Sequence, residues 1–183
     1  MEIQFLGRSS FRIKGKQVIL ITDPFAKTFA DIITVSDRKA GEINPALVKG
    51  TKRRPEPFVV TGPGEYEISG VSIAGFFSGG NTIYIIDMDG VRLVHLGNLT
   101  HKLSETQLEE VNGADVLFVP VGATETVGQV EPRITIPMLY KLPGAKDFLK
   151  LMGAEEIKPL PKLIITKDNL PEEGQVVVLD ARN

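Results

Sequence analysis

The chain has 183 residues, no cysteine and a net charge of -2 from 21 basic and 23 acidic side chains. That length suits one domain with a real core. The missing cysteines exclude a disulfide framework, a thiolate metal site and a cysteine nucleophile, and the charge gives no reason to expect a polyanion. Met1-Glu2 opens a strand-like stretch rather than a signal peptide, and no apolar run approaches the roughly 20 residues of a membrane helix, so a cytoplasmic protein without membrane contact is expected.

Strand signals fill the first half. Glu2–Leu6 alternates up to Gly7, and Ser10–Ile13 resumes with Phe11 and Ile13 on one face. Lys14-Gly15-Lys16 turns into Gln17–Thr22, which Asp23-Pro24 stops. Ile32–Val35 is a short β-branched run that empties into the polar loop Ser36-Asp37-Arg38-Lys39-Ala40-Gly41-Glu42. A loop at the end of a buried strand is a common place for a site, because a rigid scaffold aims its side chains. Gly50–Glu56 reads as an exposed connection. Phe58–Thr61, Tyr66–Ile68 and Val71–Ala74 follow as strands, Gly79-Gly80-Asn81 as a turn, then Thr82–Met88 and Val91–Leu96 around Asp89-Gly90, a strong hairpin signal. In the second half Ser104-Glu105-Thr106-Gln107 is a capping box opening a helix to about Val111, with Asn112-Gly113 as its stop. Val116–Val119 and Ile134–Ile136 are strands, Ala145–Met152 a helix, and Lys162–Thr166 and Val176–Leu179 closing strands.

Eight stretches in order carry a family likeness: FLGRSSFRIKG (Phe5–Gly15), TDPF (Thr22–Phe25), ADIITVS (Ala30–Ser36), GPGEYEISGVSI (Gly62–Ile73), NTIYIIDMDG (Asn81–Gly90), VHLGNLTHKL (Val94–Leu103), ADVLFVPVG (Ala114–Gly122) and EPRITIPMLYK (Glu131–Lys141). Together they resemble the small bacterial and archaeal zinc-dependent hydrolases of the metallo-β-lactamase fold. The resemblance implies one domain over 1–183, an α/β protein built as an αββα four-layer sandwich, here trimmed. It also implies where zinc ligands would stand. The family's Ser-His-x-His-x-Asp-His positions carry Asp37, Lys39, Gly41 and Glu42, the bridging aspartate falls at Asn98, and the last histidine at Leu139. The loop that would bring a further histidine is cut to Phe76–Gly80, and a helix the family places between Val121 and Glu131 is expected to be missing.

Zinc needs three or four imidazole or anionic ligands, and an ammonium at Lys39 repels a divalent ion. The expectation is therefore a domain without cofactor or working metal site, not an enzyme, acting by binding a small anionic ligand or a protein partner. The alternative is a metal-independent or weakly magnesium-dependent hydrolase of a phosphoester or lactone, rebuilt in the same cleft. The remnant cleft is expected at Arg8, Asp23, Asp37, Lys39, Glu42, Asn98, His101 and Leu139, with Arg8 free to take an anion or pair with Asp23 or Asp37. His95 reads as a core histidine inside a strand. Lys49, Lys52, Arg53 and Arg54 form the one basic cluster, but it lacks interleaved aromatics, so nucleic acid is not the expected partner. Strand edges leave homo-oligomer formation open.

Overall fold

The computed structural model describes residues 1–37, 39–139 and 145–181; Arg38 and the motif end Tyr140-Lys141 lie outside them. In chain order the first half supplies β1 (Glu2–Gly7), β2 (Ser10–Lys14), β3 (Ile19–Thr22), β4 (Thr28–Phe29), β5 (Ile32–Thr34), β6 (Val48–Lys49) and β7 (Phe58–Val60). Then come β8 (Gly64–Ile68), β9 (Val71–Ser78), β10 (Asn81–Met88), β11 (Val91–His95), α1 (Glu105–Val111), β12 (Val116–Pro120), α2 (Thr124–Val130), β13 (Ile134–Met138), α3 (Lys146–Leu151), β14 (Leu163–Ile164) and β15 (Gln175–Val176).

The strands form two large sheets, β14-β1-β2-β3-β5-β7 and β15-β13-β12-β11-β10-β9-β8, with β4 and β6 as a separate parallel pair. Alternation along each strand sends one apolar row into the space between the sheets. Phe5, Phe11, Ile13 and Leu20 from the first sheet meet Ile73, Tyr84, Leu93 and Phe118 from the second in one continuous core. Phe11 is its pivot, with ring centroids 4.9 Å from Phe5 and 4.3 Å from Phe118. A smaller cluster, Ile21, Ala30, Ile33, Val35 and Val48, covers the other face of the first sheet. β12 lies between two parallel neighbours and is buried at every position, as an all-apolar run should be.

The capping box is present as read: Ser104 accepts from the Gln107 N–H, and the Gln107 side chain accepts from the Ser104 N–H at 3.0 Å. Two expectations are corrected. The segment between Val121 and Glu131 does hold a helix, α2, packed on β12. Its sequence, TETVGQV, has β-branched residues, a glycine and no side-chain cap, so propensity gives no signal. Burial of Thr126 and Val127 holds it instead, and Glu131 in a left-handed conformation (φ 49°) ends it. Phe76–Gly80 is as short a connection as read, but it is not loop throughout, since Phe76–Ser78 continue the strand. β9 runs on to Ser78, and Gly79-Gly80 alone turns it into β10, both at positive φ.

Tyr84 ties the two sheets together at the cleft end. Its hydroxyl accepts from the Gly62 N–H at 2.9 Å and donates to the Val35 carbonyl at 2.9 Å, which joins the β7–β8 turn to the end of β5. Burial pushes its pKa up to about 12. Removing the hydroxyl leaves both backbone groups without that partner. Tyr84→Phe is therefore expected to lower unfolding free energy by about 1–3 kcal/mol, read as an earlier urea midpoint at unchanged slope.

Candidate functional site

β3 and β5 are parallel neighbours, so both leave the first sheet at the same end. Asp23, directly after β3, takes a left-handed conformation (φ 40°) and turns its carboxylate back toward β5. One oxygen accepts from the Ser36 N–H at 2.7 Å and the other from the Ser36 hydroxyl at 2.6 Å. Asp23 is 2% exposed, so its charge is held by hydrogen bonds rather than water. Ser36 also reaches the second sheet, where its carbonyl accepts from the Thr82 N–H at 2.8 Å.

The Gly97-Asn98 turn closes against this floor. Asn81 donates to the Leu96 carbonyl at 2.8 Å and accepts from the Asn98 N–H at 3.0 Å. Gly97 is at φ 58°, and a Cβ there would stand 2.2 Å from Asn81 Oδ1 and 2.7 Å from Ser36 Cβ, so only glycine fits.

Above the floor lies a cleft of about 130 Å³, lined by Arg8, Asp23, Ser36, Asp37, Glu42 and Asn98 together with Ser9, Phe25, Ala40, Ile43 and Leu139. Arg8 (φ 56°) and Leu139 (φ 59°) are both left-handed, and the Leu139 N–H donates to the Arg8 carbonyl at 2.7 Å. The Arg8 guanidinium stacks over the Phe25 ring, 5.2 Å from its centroid, and is ion-paired with Glu42. Both charged side chains are largely solvated, so the pair sets orientation more than stability. Asp37 accepts at one oxygen from the N–H groups of Lys39 (2.8 Å) and Ala40 (3.3 Å).

Six of the eight residues singled out in the sequence thus line one cleft: Arg8, Asp23, Asp37, Glu42, Asn98 and Leu139. Lys39 and His101 do not. Both side chains are exposed, and His101 sits over Gly79 with Nδ1 on the Lys102 carbonyl. Arg8 pairs with Glu42, not with Asp23 or Asp37 as expected. The cation in the cleft is therefore Arg8 rather than Lys39. Ser36 was not singled out. Its signal was Asp23-Pro24 ending one strand while Ser36 ended the next.

His95 lies directly under the floor, wholly buried against Phe11 and Phe118. Its Nε2 is 2.8 Å from the Ser9 carbonyl, which can only accept, so Nε2 carries the ring proton. Nδ1 has no hydrogen-bond partner. Burial lowers the His95 pKa; the Asp23 charge and the Ser9 carbonyl oppose this but do not overcome it. At neutral pH the ring is thus uncharged, and its 4.0 Å approach to Asp23 is not an ion pair.

Among the described residues no group of three or more His, Cys, Asp or Glu side chains is placed to hold a metal ion, and no helix is long and apolar enough to cross a membrane. Comparison with known proteins sets this cleft in context. The family model described as the Beta-lactamase superfamily domain matches residues 2–139. A structure from Thermotoga maritima, described as a Zn-dependent hydrolase of the metallo-beta-lactamase superfamily, is 30% identical with a TM-score of 0.83 and 98% of both chains covered. A metal-dependent hydrolase of Thermococcus onnurineus is 28% identical over 84% of this chain and 92% of its own length. A metallo hydrolase from Ignicoccus hospitalis, 17% identical, shares the fold with a TM-score of 0.63 over 90% of this chain and 99% of its own. The chain belongs to the beta-lactamase superfamily, and its fold is the metallo-β-lactamase sandwich. This corrects the expectation that the chain is not an enzyme: its relatives carry the name metal-dependent hydrolase, which points to an enzyme family.

The histidine gives a pH prediction. The unfolded chain takes up a proton at His95 near the ordinary value of about 6.5, while the folded chain does so only at lower pH. Protons bound by the unfolded state favour unfolding, so stability is full above about pH 6.5 and falls as pH drops toward the folded pKa. Urea midpoints measured between pH 7.5 and 5 are expected to decline, and His95→Gln to flatten that decline.

Proposed function

We propose that this chain is a hydrolase of small uncharged carbonyl esters or lactones that works through protein groups in the Arg8–Asp37–Glu42 cleft. The observation that carries the reading is that, among the described residues, one guanidinium and three carboxylates line that cleft. The donor set does not fit the family's zinc. Both oxygens of Asp23 are committed to Ser36, one oxygen of Asp37 is committed to backbone N–H groups, Glu42 is paired with Arg8, and no imidazole lines the cleft.

Charge argues for an uncharged substrate in place of the anionic ligand expected from sequence. Among the described residues that line the cleft, Asp23, Asp37 and Glu42 outnumber Arg8 three to one. A like charge about 5 Å away costs a bound anion roughly 3 kcal/mol at an effective dielectric near 20. A lactone brings no charge. Its carbonyl oxygen gains one only as water adds, and the Arg8 guanidinium is the donor available for that oxyanion. The free oxygen of Asp37 takes the proton from the attacking water. The water oxygen bonds to the carbonyl carbon, the ring C–O bond breaks, and the leaving alkoxide takes the proton back from Asp37.

The test is turnover of a lactone, p-nitrophenyl acetate and bis-p-nitrophenyl phosphate by protein stripped with chelator and desalted. Lactone or acetate hydrolysis without added metal, and no hydrolysis of the phosphodiester, is expected. Asp37→Asn is expected to lower kcat by about 10²-fold or more at unchanged circular dichroism. Turnover that requires zinc, or none above buffer on any substrate, would overturn the reading.

A further inference from the structure

The Gly50–Glu56 connection is exposed in sequence terms but is not loose. Gly50 is approached so closely by the carbonyls of Arg54 and Pro55 that a Cβ would stand 2.2 and 2.1 Å from them. Thr51 is the hub: its hydroxyl donates to the buried Asp31 carboxylate and accepts from the N–H groups of Arg53 (3.2 Å) and Arg54 (3.3 Å). Asp31 is itself fixed by the Ile19 N–H at 2.8 Å. Four cations, Lys49, Lys52, Arg53 and Arg54, therefore stand on a rigid loop. Among the described residues none of the four is in an ion pair, while Arg8, Arg92, Lys162 and Lys167 elsewhere each have a carboxylate.

The aromatic that the sequence reading found missing comes from another segment. β4 pairs with β6 in a register that sets Phe29 beside Lys49, and Phe29 is 59% exposed. Phe29, Lys49, Lys52 and Pro57 line an open groove of about 540 Å³ in which Glu56 is the one acid. Of the four cations Lys49 and Lys52 line the groove, while Arg53, which donates to Gln17 at 3.3 Å, and Arg54 stand on the same loop outside that lining. A large exposed aromatic flanked by two lysines has a specific use. Its face stacks on a flat base, and the cations take the phosphates on either side. An acidic peptide would use the charge but not the ring.

We propose that this groove binds single-stranded nucleic acid, with Phe29 as the stacking platform and the Lys49–Arg54 loop as the phosphate contact. The site is separate from the cleft and does not depend on the hydrolase reading.

The test is fluorescence anisotropy of a labelled oligothymidylate titrated with the full chain, with a poly-glutamate peptide and phosphatidylserine-containing vesicles as competing probes. A dissociation constant between about 10⁻⁶ and 10⁻⁴ M at low salt is expected, with a log–log salt slope of roughly -3 for four cations on a single strand. Phe29→Ala is expected to weaken binding about tenfold. Lys52→Glu with Arg53→Glu is expected to abolish it while leaving the cleft's lactone turnover intact. Affinity weaker than about 10⁻⁴ M, no effect of Phe29→Ala, or equal binding of poly-glutamate or vesicles would each overturn the proposal.

Discussion

Much of the cleft depends on a single buried carboxylate. Asp23 has almost no contact with solvent, and its carboxylate is satisfied by the two donors of Ser36 at 2.6 and 2.7 Å. The two residues end adjacent parallel strands, and the bridge between them fixes how both chains leave the sheet. Ser36 then carries the link across the sandwich through Thr82, and its side chain abuts the Gly97 turn. The polar floor therefore spans both sheets, whose apolar faces meet below it. Loss of the carboxylate would leave the Ser36 N–H and hydroxyl without their acceptor, a larger cost than loss of an exposed ion pair.

Backbone strain follows the same line. Asp23, Arg8 and Leu139 are three non-glycine residues in left-handed conformations, and all three line the cleft. Each costs about 1–2 kcal/mol against a glycine. Such residues persist when the surroundings over-determine them and the side chain is needed where it points. For Asp23 the need is the Ser36 bridge. For Arg8 it is the stack on Phe25 and the pair with Glu42, with the Leu139 N–H holding the Arg8 carbonyl.

The strands were legible because burial leaves its mark on the residue pattern: Phe11 and Ile13 by alternation, Ile32-Ile33 and the whole of Val116–Val119 as continuous apolar runs. The Ser104–Gln107 box was legible because capping is local chemistry. α2 was not, since its stability comes from burying Thr126 and Val127 on β12 and not from its own propensities. Within the site, family positions led to Asp37, Glu42, Asn98 and Leu139, but pairing is tertiary. Nothing in the sequence distinguishes Glu42 from Asp37 as the partner of Arg8, or turns Lys39 outward. The inference from missing zinc ligands to a non-enzyme failed on a different point. Ligand positions describe one chemistry, whereas the scaffold, matched over residues 2–139, belongs to a family of hydrolases.

A guanidinium among the carboxylates bears on what the cleft can recognise. Arg8 brings one charge, already shared with Glu42. Among the described residues no further cation lines the cleft beside Asp23 and Asp37, which hydrogen bonds hold. On the proposed reading such a pocket discriminates by the timing of charge. A substrate that arrives as an anion meets repulsion from two carboxylates, while one that becomes an anion only as the reaction proceeds meets the guanidinium when it matters. Binding that is stronger in the transition state than in the ground state is the condition for catalysis, and on the proposed reading the Arg8 guanidinium is the group that meets it.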